Sequence, residues 1–337
     1  MTSGPTNTLV DVAGLTVGHA DDARIATGVT VVLPAERAVA AVVCSGGGPG
    51  TRETDALKPD TLVDAVDAIV LAGGSSYGLD AAGAVAAWLG ARGRGFRLGA
   101  ASIAAPVVPA AILFDLANGG DKDWGEEPPY RALGRTAVAA AKDGPVALGT
   151  VGAGYGAQCG RYKGGIGSAS VVTGDGITVA ALAAVNAFGA PTIPGTDCFW
   201  AWPFERGGEF GGRRPPPDAA LPADPFADTK AAGLKTNTTI AVIATDATLA
   251  PAEAQRVAVM AHDGLARAVR PAHTPMDGDT VFALATGQQA LPAPSYLGVA
   301  RIGAHAADCL ARAIARGVYA ATAIAGLPAY RDQHPPP

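Results

Sequence analysis

The sequence predicts an α/β fold in which sheets are covered by helices, and three observations predict it. Short, β-branched or continuously apolar runs ended by Gly or Pro recur along the chain, as buried strands do. Longer runs with helical spacing alternate with them, most clearly in the C-terminal third, which reads strand, helix, strand, helix. Hydrophobic residues make up 49% of 337, enough for a sizeable core, and no stretch reads as a linker, so one domain over 1–337 is expected.

In order, the strands of the first half are "GVTVVLP" (28–34), "AVAAVVCSGG" (38–47), "AIVLAGG" (68–74) and "VALGTVGAG" (146–154). A helix over 77–93, "YGLDAAGAVAAWLGARG", follows the third of them and carries Gly near its end. The segment 203–235 is rich in Gly, Pro and charge, has little apolar surface to bury, and reads as an exposed, mobile loop. "TTIAVIATDA" (238–247) is then a buried strand by its continuous apolar run. A helix over 251–269 has Pro251 in its first turn and Val257, Met260, Ala261, Leu265 and Val269 on one face. "DTVFALATG" (279–287) is a further strand, and 299–321 a long helix with Val299, Ile302, Ala306, Cys309 and Ala313 in a stripe.

Charge and composition exclude several classes. Twenty-five Lys plus Arg against 30 Asp plus Glu leave a net charge of -5 without a basic tract, which argues against nucleic-acid and polybasic membrane partners. No apolar run is long enough to span a membrane. The four cysteines lack C-x-x-C spacing and the opening "MTSGPTNTLVDVAG" lacks the regions of a signal peptide, so free thiols and a cytoplasmic location are expected.

The five histidines show no metal-ligand spacing, so a catalytic zinc is not expected. "GGSSYG" (73–78) places Ser75 where a dinucleotide fingerprint needs Gly. It does satisfy G-x-S-x-G through Gly74, Ser76 and Gly78 between a strand and a helix, as a nucleophile elbow would, with Asp279 and His305 as the ordered acid and histidine. A tight turn of small residues explains it as well.

Asn237, Thr238 and Thr239 open the strand at 238. Thr favours strands and Asn favours turns, so an ordinary strand start is one reading. The functional reading is that the chain cuts itself between Asn237 and Thr238. The new α-amine, with an unperturbed pKa of about 7.7–8.0, would then serve as base to the Thr238 hydroxyl. A movable segment upstream, a rigid strand downstream and the carboxylates of Asp277 and Asp279 in "MDGDT" meet the demands of such a site. Two acids around one Gly make a plain turn equally well.

Several ordered motifs together resemble the DmpA-type aminopeptidases, which include β-peptidyl aminopeptidases and nylon-oligomer hydrolases. They are "LTVGHADDARIATGVTVV" (15–32), "SGGGPGTRETD" (45–55), "LAGGSSYGLDAAGAVAAWL" (71–89), "VVPAAILFDL" (107–116), "GAGYGAQCGRYKGGIGSAS" (152–170), "VNAFG" (185–189), "TNTTIAVIATDA" and "MDGDTVFALATG". The resemblance implies a four-layer α-β-β-α sandwich with N-terminal-nucleophile chemistry, cut into a large chain 1–237 and a small chain 238–337 that stay together in a homo-oligomer, a tetramer of cleaved protomers. It implies Thr238 as nucleophile, Asn186 as a holder of the oxyanion, Lys163 near the nucleophile, and Asp277 and Asp279 as the acidic pair, with the Thr and the later "DGD" similar to the nylon-hydrolase branch. Phe114 stands where several members carry a tyrosine, so its hydroxyl role would fall to Tyr77 or Tyr155.

The expected activity is therefore amide hydrolysis through an acyl-enzyme on short peptides, β-peptides or linear oligoamides such as 6-aminohexanoate oligomers, and it needs neither a metal nor an organic cofactor. An acyltransferase similar to the ornithine acetyltransferases and the Ser76 hydrolase are the alternatives.

Overall fold

The computed structural model describes residues 1–220, 222–230, 237–324 and 326–336. In chain order the strands are β1 (Leu15–Asp22), β2 (Thr27–Pro34), β3 (Val39–Cys44), β4 (Thr51–Arg52), β5 (Ile69–Ala72), β6 (Ala110–Ile112), β7 (Gln158–Cys159), β8 (Tyr162–Lys163), β9 (Gly165–Val172), β10 (Thr178–Asn186), β11 (Thr238–Ala247) and β12 (Thr280–Gln289). The helices are α1 (Asp80–Gly90), α2 (Tyr130–Ala139), α3 (Pro251–Ala261), α4 (Asp263–Ala268), α5 (Ser295–Ala320) and α6 (Tyr330–Gln333).

Two five-stranded sheets, in the orders β1-β2-β5-β6-β4 and β3-β12-β11-β10-β9, stack face to face. Alternation along each strand sorts the side chains into three apolar layers. Ile240, Val242 and Ala244 of β11 and Leu182 and Ala184 of β10 meet Leu15, Val32, Ile69 and Leu71 between the sheets. Their neighbours Ala241, Ile243, Ala181 and Ala183 point the other way, against α3, α4 and α5. On the far side, Val29, Val31, Val70 and Ala72 pack on α1 and α2. The result is the expected α-β-β-α sandwich.

β11 and β12 run parallel, Ile240 facing Thr280 and Ala244 facing Leu284, whereas β10 and β3 flank them antiparallel. A parallel pair needs a long crossover, which α3 and α4 supply. The single helix expected over 251–269 is thus two, divided at His262.

One other expectation is corrected and one is refined. The segment 146–154 is not a strand: it has only an isolated bridge from Gly149 to Ile166 and a short 3-10 turn at Gly152–Gly154. The segment 203–230 is irregular and largely exposed, as expected, but it is anchored rather than loose: Phe210 is buried and the buried Arg312 of α5 donates to Glu209 at 2.6 Å. Residues 221 and 231–235 of that segment lie outside the described residues. Among the described residues no helix is long and apolar enough to cross a membrane.

Candidate active site

Strand register brings the first two site residues together. Asn186, the last residue of β10, pairs with Thr238, the first of β11. Period-2 alternation puts both side chains on the face between the sheets, in line with Ala184 and Ile240. Both residues are buried. Asn237 extends β11 by one bridge alongside Asp277. Its N–H donates to the Met276 carbonyl at 2.9 Å, and its own carbonyl accepts the Gly278 N–H at 2.7 Å. The Thr238 hydroxyl also donates to that Asn237 carbonyl.

Gly278 is a glycine for a steric reason. A Cβ there would lie 2.7 Å from Thr238 Oγ1 and 2.7 Å from the Gly48 carbonyl oxygen. Without one, the backbone N–H reaches the Asn237 carbonyl.

The two acids flank this glycine and are fully engaged. Asp277 accepts from the N–H groups of Phe188 (3.2 Å) and Thr274 (3.0 Å) and from the Thr274 hydroxyl (2.6 Å). Burial and the charge of Asp279 push its pKa up despite those bonds. Asp279 accepts the Thr239 N–H at 2.8 Å on one oxygen, and on the other the His273 N–H at 3.1 Å, with His273 Nδ1 at 2.9 Å. Burial works against the charged His273 ring, but the hydrogen bond and charge of Asp279 more than offset it, so the pKa is raised. The His262 ring lies 5.1 Å away and is itself tied through Nε2 to the Val43 carbonyl at 2.9 Å. Burial lowers its pKa.

Sequence reasoning missed His273, since its histidine test asked only for metal-ligand spacing. The signal was present in "HTPMDGD", where a histidine precedes the acidic pair in one tight turn. Among the described residues no cluster of three or more His, Cys, Asp or Glu is arranged to hold a metal.

A cleft of about 290 Å³ opens beside this centre, lined among others by Phe114, Asp115, Asn118, Gln158, Asn186 and Lys230. Asn186 is the link between cleft and strand. Its Oδ1 accepts the Gln158 N–H at 2.9 Å, and its Nδ2 donates to the Phe114 carbonyl at 3.2 Å. Asp115 is buried at the cleft wall, accepting from the Gly74 N–H (2.8 Å) and the Thr27 hydroxyl (2.6 Å), and burial raises its pKa.

Lys163 sits across the β7/β8 ladder from Gln158 and is fully buried. Its ammonium donates to the carbonyls of Gly154 (2.9 Å) and Gly164 (2.7 Å). Burial pushes its pKa down to about 7, with the charge of Asp115 acting the other way.

Of the three aromatic residues expected at the substrate, only Phe114 lines the cleft. Tyr77 is about half exposed and packs edge-on against Trp124 at 5.6 Å, and Tyr155 follows the 3-10 turn, its N–H bonded to the Gly152 carbonyl. Neither is among the residues that line the cleft.

The elbow geometry does not assemble. Ser76 is exposed in a 3-10 turn after β5, in one sheet, whereas Asp279 precedes β12 in the other and engages His273. His305 lies on α5, among Asp308, Arg206 and Asp175. The turn's own glycine is structural: Gly74 adopts φ +82, and a Cβ there would strike the Tyr130 ring.

Comparison with known proteins places this geometry in a family. The profile described as "Peptidase family S58" matches residues 7–331. An uncharacterized aminopeptidase of Mycobacterium tuberculosis (strain ATCC 25618 / H37Rv) is 48% identical over 348 residues, covering 98% of each chain. A 6-aminohexanoate-oligomer endohydrolase of Kocuria sp. (strain KY2) is 32% identical over 290 residues, covering 84% of this chain and 76% of that one. The solved L-aminopeptidase D-Ala-esterase/amidase of Ochrobactrum anthropi, described as a variant of the Ntn-hydrolase fold, superposes with a TM-score of 0.71 at 22% identity. It covers 97% of this chain and 90% of its own, and shows the fold. With the family match running almost end to end, and nearly half of its residues shared with an aminopeptidase, this chain belongs to peptidase family S58 and is an amide and peptide hydrolase.

Proposed function

We propose that the chain is a self-processing N-terminal-threonine hydrolase, cut between Asn237 and Thr238 into chains 1–237 and 238–337. The observation that carries this reading is the Asn237 carbonyl. It is held by the Gly278 N–H at 2.7 Å and lies against the hydroxyl of the very next residue. In the cut, Thr238 Oγ1 bonds to the Asn237 carbonyl carbon, the carbon–nitrogen bond breaks, and the hydroxyl proton passes to the departing Thr238 nitrogen. Gly278 N–H stabilises the negative oxygen formed on the way. Water then hydrolyses the ester, leaving Asn237 as a carboxylate and Thr238 with a free amine.

In turnover the Thr238 amine takes the proton of its own hydroxyl, which attacks the substrate amide. Asp279, already bonded to the Thr239 N–H, holds a carboxylate one residue from that amine. Asp277, on the other side of Gly278, completes the acidic surroundings. Asn186, paired with Thr238 and opening on the cleft, donates through Nδ2 to the developing oxyanion. Lys163 supports this wall from behind, through the carbonyls of Gly154 and Gly164. The substrate carbon–nitrogen bond then breaks, the departing amine takes the proton held on the Thr238 amine, and water hydrolyses the ester to release the acyl group.

The substrates proposed are short peptides with a free amine, β-peptides and linear oligoamides such as 6-aminohexanoate oligomers. The family membership and the activities named for the two relatives above support the peptide and oligoamide parts of this range. A homo-oligomer of cut protomers belongs to the same reading.

Intact mass under denaturing conditions tests it. Fragments 1–237 and 238–337 are expected from the wild type and a single chain from Thr238→Ala, which should also be inactive. An uncut, active wild type would overturn the reading.

A further inference from the structure

Lys230 lies seven residues ahead of the proposed cut, yet it is buried at the site. Its ammonium donates to the Asn186 backbone carbonyl at 2.8 Å and to Asn186 Oδ1 at 3.1 Å. Only 5% of the residue is exposed, and it lines the cleft. A buried ammonium is costly unless it is well bonded, so these contacts hold it in one place.

The contacts also settle an orientation. The two ends of an Asn amide are alike in shape, but the Gln158 N–H and the Lys230 ammonium can only donate. The atom both meet must therefore be the amide oxygen, which leaves Nδ2 as the donating end: one N–H goes to the Phe114 carbonyl and the second can serve a reacting carbonyl.

The segment carrying Lys230 is anchored upstream of residue 231. The Lys230 N–H donates to the Phe188 carbonyl at 3.0 Å, Asp228 lies 3.5 Å from the Arg161 guanidinium, and the Phe226 ring packs edge-on against Phe188 at 5.6 Å. None of these contacts depends on the bond between Asn237 and Thr238. We propose that Lys230 is a positioning residue of the hydrolase: it stays at the site after the chain is cut and fixes the Asn186 amide with its NH2 toward the substrate oxyanion. This rests on the Thr238 and Asn186 roles given above.

The test is a double-mutant cycle of Lys230→Met and Asn186→Ala, with β-alanyl p-nitroanilide and the linear 6-aminohexanoate dimer as probes and intact mass as the control for cutting. Because the Asn237 carbonyl rests on Gly278 and not on Asn186, every member of the cycle is expected to be cut. Lys230→Met should lower kcat about 10- to 100-fold with little change in KM, since misorienting a donor weakens mainly the transition state. In the Asn186→Ala background it should cost nothing further, which a merely structural lysine would not do.

An unchanged or higher kcat in Lys230→Met, or an equal loss in both backgrounds, overturns the proposal. Lys230→Gln keeps a donor on a shorter stem, and if Lys230→Met fails to fold it takes that place in the cycle with a smaller loss expected. The two readings fail separately. An active Thr238→Ala sinks the nucleophile, whereas a cut, Thr238-dependent enzyme that ignores Lys230→Met sinks only this inference.

Discussion

Adding one methyl group at Gly278 should nearly stop self-cleavage while leaving the fold in place. In Gly278→Ala the new Cβ would sit 2.7 Å from both Thr238 Oγ1 and the Gly48 carbonyl oxygen, and 3.2 Å from Pro49 Cα. The two oxygen contacts are each about 0.7 Å short of ordinary van der Waals separation. Backbone on one side gives way less easily than a hydroxyl on the other, so the Thr238 side chain or the Gly278 N–H moves. A displacement approaching 1 Å costs about 100-fold in a positioned reaction, and the overpacking costs about 1–3 kcal/mol of stability. The assay is a time course of cutting after cell-free synthesis, read by intact mass, with a thermal melt to confirm folding. A folded Gly278→Ala protein that cuts at the wild-type rate would refute the placement of the Asn237 carbonyl on Gly278.

Asp279→Asn should abolish hydrolysis and let the His273 pKa fall, because burial then acts without the carboxylate that now offsets it; an NMR titration that leaves His273 raised would assign its shift elsewhere. Lys163 binds its proton with a pKa of about 7 when folded and about 10.4 when unfolded. The unfolded chain therefore holds more protons in that window, and stability should rise with pH between them by up to about 1.4 kcal/mol per unit, a slope absent in Lys163→Met when followed by urea unfolding. The raised His273 pKa has the opposite sign: its contribution is complete below the unfolded value and is lost as pH climbs through the folded one. Ser76→Ala should leave both cutting and hydrolysis unchanged, and a loss of either in a folded protein would restore the elbow.

Legibility in the sequence followed physical signal. β11 could be read because both of its faces are buried, which leaves an unbroken apolar run in the text. The segment 146–154 misled for the same reason, since its apolar residues imitate a strand while Gly149 and Gly152, at φ +82 and +49, turn the chain out of it. Motifs single out Thr238, Asn186 and the acids as candidates; the pairing of Asn186 with Thr238 has no such signal, because a register between β10 and β11 leaves no mark along one strand. Lys230 had no signal at all. It lies in a polar stretch without periodicity, and only the docking of Phe226 and Asp228 brings it to Asn186.

The order of the second sheet governs what the proposed cut between Asn237 and Thr238 would leave behind. β11 and β12, which the proposed cut would assign to a small chain, lie between β3 on one side and β10 and β9 on the other, which it would assign to a large one. Severed there, neither piece would own the whole of this second sheet, so the protein would have to fold as one polypeptide before the cut, and the cut product would have no covalent memory of that assembly. Heating should therefore be a one-way event for an enzyme cut at that bond, whose parted strands would expose bare edges to one another and aggregate. The uncut Thr238→Ala chain, melted and cooled alongside, keeps its tether and with it a path home.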